Sequence, residues 1–212
     1  MTSAFSAKDT RKTLMKLPHE DAWDAWSPMQ LAQKLSGVDA DWYIVGGWAL
    51  DLWLGKQRRQ HDDLEFATLP QYAPKLASHL SELIFFEVKA GQLSPWDLNQ
   101  KFGKDVWQFW GADLEVGRWR VDMMLERGTR EFWKYKRSPS FEQLRDSAVR
   151  TNADGIRYLA PANVLLFKAK YCRAKDEDDF QAALPNLTAS DRATLRRWLS
   201  LCHVDHKWLQ HL

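Results

Sequence analysis

The sequence predicts an α/β protein: a strand-rich first part followed by a helical C-terminal part. Three observations carry this reading. "DLEFATL" (63–69) and "RWRVDMMLE" (118–126) alternate polar and apolar residues, as strands do when their two faces differ. "DWYIVGGWALDLWLG" (41–55) joins a short apolar run to a run with helical spacing through two glycines. From about Arg130 the texture shifts to longer stretches with helical periodicity, and neither repeats nor low-complexity tracts interrupt the chain. At 212 residues and 45% apolar content there is material for a real core. The order suggests a lead-in over 1–40, an α/β core over 41–130 and a helical region over 131–212.

The elements follow in order. Ser27 is a candidate cap for a short helix in "SPMQLAQKL" (27–35), with Pro28 suited to its first turn. "DWYIVGG" reads as a strand, and Leu50, Trp53 and Leu54 mark one face of the helix after it, which Gly55 ends. Pro70 stops the strand at 63–69, and Pro74 to Leu83 reads as helix. "IFFEVKAG" (84–91) and "VWQFWGA" (106–112) read as further strands. "SFEQLRDSAVR", "APANVLLFKAKYCRAKDEDDFQAAL" and "SDRATLRRWLSLC" read as helices, the last capped by Ser190.

Bulk properties narrow the function classes. Lys and Arg number 30 against 28 Asp and Glu, a formal charge of +2, so there is no strong field for gripping nucleic acid. No apolar run approaches the ~20 residues that span a bilayer, and "MTSAFSAKDTRKTLMK" lacks the apolar block of a secretory signal. The expectation is a cytoplasmic protein with no membrane partner. Cys172 and Cys202 make no disulfide framework. The 12 tryptophans are read chiefly as core and groove filling.

Two adjacent glycines after a strand let the chain turn tightly and present backbone N–H groups at a helix N-terminus, where an anion can sit. Taken alone, Gly46 and Gly47 are also what simple turn punctuation looks like. Asp63 and Glu65 then lie two apart on a strand, so their carboxylates share a face while Leu64 and Phe66 point inward. Two such acids repel one another unless a divalent cation shares their charge, and oxygen ligands favour Mg²⁺ or Mn²⁺ over zinc. By pattern Asp122 is a third acid, opposite Trp119, Val121, Met123 and Leu125. Glu126 is its rival, and a surface pairing with Arg118 or Arg120 is the plainer account of Asp122. Arg58, Arg59 and His61 lie between glycines and acids, placed to neutralise a triphosphate or to be ordinary loop charges. The "CHVDHKWLQH" segment (202–211) lacks the spacing of a closed zinc site.

With these residues assembled, the chain resembles the nucleotidyltransferase superfamily. "GGWALDLWLG" followed by "RRQHDDLEF" is especially similar to the aminoglycoside 2″-nucleotidyltransferase family and its lincosamide-modifying relatives, and "YLAPANVLLFKAKYCRAKDEDDF" (158–180) extends the likeness. The resemblance implies a mixed β-sheet with flanking helices and a helical C-terminal part closing a cleft. It implies transfer of a nucleoside monophosphate, AMP from ATP, to the hydroxyl of a small-molecule acceptor. Gly46 and Gly47 would hold the triphosphate, Asp63 and Glu65 would bind metal, and Asp122 would be third ligand or general base. Lys168 would reach the nucleotide unless it is an exposed helical lysine; Lys175 and Asp179 read as a surface pair. The antibiotic-modifying members usually carry two aspartates in the paired position, whereas Glu65 is one methylene longer. The superfamily also includes toxins that modify RNA or protein, and loss of turnover through Glu65 would leave a nucleotide-binding protein. For a cationic sugar acceptor, Glu87, Asp97, Asp105, Asp113 and Glu115 are the available acids.

Overall fold

The structure, a computed structural model, describes residues 17–138 and 140–212. The reading of residues 1–16 as lacking a leader lies outside the described residues. Chain order gives α1 (Pro28–Lys34), β1 (Trp42–Ile44), α2 (Gly46–Leu54), β2 (Glu65–Thr68), α3 (Ala73–His79), β3 (Ile84–Lys89) and β4 (Gln92–Pro95). Then come β5 (Gln108–Asp113), β6 (Arg118–Leu125), β7 (Phe132–Lys134), β8 (Glu142–Leu144), α4 (Arg145–Ala148), β9 (Val149–Thr151) and β10 (Arg157–Leu159). The chain ends with α5 (Pro161–Ala169), α6 (Ala174–Ala183) and α7 (Ala189–Cys202).

Eight strands form one mixed sheet in the order β4-β3-β5-β6-β2-β1-β10-β9, and β7 and β8 form a separate hairpin. Two pairings are parallel, β2 with β6 and β1 with β10. Both bring sequence-distant strands together at the centre of the sheet. β2 is therefore buried along most of its length, with Phe66 fully covered and Ala67 and Thr68 nearly so. One continuous apolar cluster runs from Leu31 in α1 through Phe66 and Met123 in the sheet to Leu165 in α5 and Trp198 in α7. α5 is buried almost all round, as a helix enclosed between sheet and other helices must be.

Local chemistry accounts for the ends. Ser27 and Gln30 form a reciprocal capping box at α1, with Pro28 in its first turn. Gly55 closes α2 in the left-handed region at φ 71°. α7 is capped by Thr188 with Asp191, two residues earlier than the expected Ser190, because Thr188 has an acid three residues on to complete the box.

Three further expectations are corrected. The strand at 63–69 begins at Glu65, leaving Asp63 just ahead of it. The helix expected over 140–150 is instead strand, one helical turn and strand. Arg145 turns inward there, 4% exposed, to meet Glu126, and that buried ion pair overrides the local periodicity. The long helix read over 160–184 breaks at Cys172, whose φ of 45° ends α5 before α6 begins. With β7 and β10, residues 130–160 thus contribute strands, and the purely helical part starts only at Pro161.

Candidate nucleotide and metal site

The two glycines sit in the first turn of α2, each with a different neighbour where a side chain would be. At Gly46, φ is 65° and an added Cβ would lie 1.9 Å from Glu65 Oε2. At Gly47 it would lie 2.5 Å from Arg59 Nη2 and 2.6 Å from His61 Cε1. The bare turn therefore lets a carboxylate and a basic loop close over the start of the helix. The cap residue Val45 gives α2 no side-chain hydrogen bond, so the N–H groups of the first turn keep their donor capacity.

Glu65 and Asp122 are directly paired on the adjacent parallel strands β2 and β6, so their side chains leave the same face. Asp122 is 4% exposed, which rules out the surface pairing; Arg120 bonds Asp24 and Asp113 instead. Gln108 Nε2 donates to Asp122 Oδ2 at 2.6 Å, while Asp122 Oδ1 is buried without a hydrogen-bond partner among the described residues. Burial, and then the Asp63 charge, pushes Glu65 up to about 7, and burial with the Glu65 charge raises Asp122 well above the carboxylate range. Crowded acids and an orphaned oxygen are a donor set that fits a divalent cation. Among the described residues no three His, Cys, Asp or Glu side chains stand close enough to enclose one as they are. Glu126 is occupied elsewhere, accepting from Tyr43 Oη and from Arg145 Nη2.

Arg58, Arg59 and His61 belong to a buried network. Arg58 bridges Asp51 at 2.7 Å and Asp179 at 2.8 Å, and His61 Nε2 lies 2.6 Å from Asp51. Asp179 also receives Lys168 at 2.8 Å and, more distantly, Arg59 at 3.5 Å. Asp179 is fully buried, and its burial is outweighed by Lys168, Arg58 and Arg59, which hold its carboxyl below the usual range. Lys175, four residues before it, instead faces Asp62. Lys168, at 8% exposure, is no surface lysine: it lines a cleft of about 500 Å³ together with Gly46, Glu65, Trp133 and Phe167. The cleft also receives cations from Lys136, Arg137 and Arg173, none of them among the expected site residues. The signal was present as "KYKR" (134–137), a basic run in a chain of nearly balanced charge.

A family model described as aminoglycoside-2″-adenylyltransferase matches residues 28–100, which span the glycine turn and the Asp63–Glu65 pair. The solution structure of the antibiotic-resistance factor ANT(2″)-Ia is similar at a TM-score of 0.53 and 14% identity, covering 84% of this chain and 94% of that one. The crystal structure of ANT(2″)-Ia in complex with adenylyl-2″-tobramycin gives 0.52 and 14%, covering 83% and 95%. No curated protein sequence matches the chain. The chain thus resembles the nucleotidyltransferase enzymes in sequence over 28–100 and has their fold over most of its length. No helix among the described residues is long and apolar enough to cross a membrane.

Proposed function

We propose that the protein is a divalent-metal-dependent nucleotidyltransferase that moves AMP from ATP to the hydroxyl of a small-molecule acceptor. The observation that carries this is the Glu65–Asp122 pair, in register on parallel strands, against the side-chain-free turn at Gly46. In this reading residues 41–130 carry the reaction, and residues 131–212 close the cleft. Glu65 and Asp122, with Asp63 as a further acid, would hold Mg²⁺ or Mn²⁺, which would supply charge neutralisation for the reacting phosphate.

The chain's own groups do the rest. The first-turn N–H groups of α2 bind phosphate oxygens. Arg59, whose Nε is buried without a partner among the described residues, is the member of the basic loop left to reach a phosphate, while Arg58 and His61 hold the loop in place. Lys168 and Arg173, whose charges act on Glu65, take up charge on the departing pyrophosphate. Asp122, whose Oδ1 is buried without a hydrogen-bond partner among the described residues, accepts the acceptor's hydroxyl proton. ATP as donor and a hydroxylated small molecule as acceptor are supported by the family likeness over 28–100.

The test is pyrophosphate release from ATP and Mg²⁺ across a panel of hydroxylated acceptors. The wild type turns over with at least one acceptor, and Asp122→Asn lowers the rate by about 100-fold or more. Full activity in Asp122→Asn would overturn the assignment.

A further inference from the structure

The cations of the cleft fall into two groups. Lys168 and Arg173 act on Glu65, and acids of α6 already match them: Asp179 lies 2.8 Å from Lys168, and Asp176 lies 2.8 Å from Arg173. Lys136 and Arg137 come from the turn between β7 and β8 and line the same cleft. Neighbouring Lys134 is paired with Glu142 at 3.3 Å, whereas neither Lys136 nor Arg137 has a carboxylate partner among the described residues.

Both unmatched cations face the cleft that Glu65 lines. Arg137 Nη1 donates to the Phe167 carbonyl at 3.0 Å and to Tyr135 Oη at 3.3 Å, which ties the turn to α5. Its guanidinium lies over the rings of Phe167 at 5.3 Å and Tyr171 at 5.2 Å. Lys136 feels the charge of Asp122, and burial with repulsion from Arg127 and Arg137 lowers its ammonium. Like charges gathered without an acid are unfavourable until an anion joins them.

None of Glu87, Asp97, Asp105, Asp113 and Glu115, the acids available for a cationic acceptor, lines this cleft. Asp105 is paired with Lys89 at 2.5 Å, Asp113 with Arg120 at 3.3 Å, and Asp97 accepts from Asn99 N at 3.0 Å. Of the two acids that line the cleft, Glu126 is taken by Arg145 and Tyr43, which leaves Glu65.

We propose that the acceptor carries an anionic group, a phosphate or a carboxylate, near the hydroxyl that is modified, held by Lys136 and Arg137, and that polycationic aminoglycosides are poor acceptors. This rests on the nucleotidyl-transfer reading above. The hydroxyl oxygen forms a bond to the α-phosphorus as the bond to the bridging oxygen breaks. Pyrophosphate leaves, and the hydroxyl proton passes to Asp122. Lys136 and Arg137 position the acceptor and take no part in bond making.

The test compares glucose 6-phosphate, glucuronate, glucose and tobramycin in two arms. One measures pyrophosphate release with ATP and Mg²⁺; the other measures binding by calorimetry to enzyme loaded with a nonhydrolysable ATP analogue and Mg²⁺. One or both anionic sugars bind about tenfold or more tighter than glucose, as a charge-assisted contact predicts, and the stronger of the two identifies the group. In Lys136→Ala/Arg137→Ala that advantage disappears, while affinity for the ATP analogue changes less than about twofold. Tighter binding of tobramycin, no preference for the anionic sugars, or a double variant that weakens the analogue instead would each overturn the proposal. Turnover of tobramycin alone keeps the nucleotidyl-transfer reading and overturns this one. Anion preference without pyrophosphate release keeps the anion site and removes the reaction.

Discussion

Gly46 lacks a side chain where the Glu65 carboxylate would collide with one, and its φ of 65° is strained for any other residue. Gly46→Ala is expected to cost at least about 1 kcal/mol of stability and to push Glu65 off its position. Thermal melts should show the first effect, and a fall in Mg²⁺-dependent ATP affinity the second; an unchanged variant would mean the close approach is not maintained in solution. At this scale much of the candidate site was legible. Two glycines after an apolar run and two acids at a spacing of two are local patterns, and Asp122 follows from strand alternation. What Glu126 does was not legible, because its partners Tyr43 and Arg145 lie 83 and 19 residues away and nothing local announces them. The burial of Asp179 escaped for the same reason: Arg58 is 121 residues distant.

Elements were legible where their signals were local. The capping box of α1, the Gly55 stop of α2 and the alternation of β6 are written in adjacent residues. The stretch at 140–150 was misread because a few apolar residues at helical spacing satisfy that pattern over one turn, while the deciding contact, Arg145 with Glu126, is tertiary. The C-terminal turn depends on another such contact. Glu177 on α6 receives Lys207 at 2.7 Å and Trp208 Nε1 at 2.9 Å, and the Lys207, Gln181 and Trp208 hydrogen bonds lower its carboxyl to about 2. A depressed acid stabilises the fold above its unfolded value of about 4.5 and loses that contribution as pH falls toward about 2. Glu177→Gln should therefore lower the melting temperature near neutrality and converge with wild type at acid pH. A difference that persists unchanged to pH 2 would refute the pairing.

Across the whole molecule, parallel pairing at the centre of the sheet and a buried charge network bring the distant halves of the sequence to one cleft. Asp179 joins α6 to the basic loop and to Lys168 of α5. Removing it strands several buried cations, so Asp179→Ala should destabilise by about 3 kcal/mol or more, a fall of roughly 6–12 °C in melting temperature. An effect under about 1 °C would mean that solvent reaches the network. The acids of the site have the opposite character: they repel one another in a buried place, which makes sense for a fold completed by a cation. Crystals soaked with Mn²⁺ and a nonhydrolysable ATP analogue test this most directly through the anomalous scattering of manganese. The account predicts a peak within about 2.5 Å of carboxylate oxygens of Glu65 and Asp122, with the analogue's phosphates against the start of α2. A peak elsewhere, or bound nucleotide with no metal at these two acids, would contradict it.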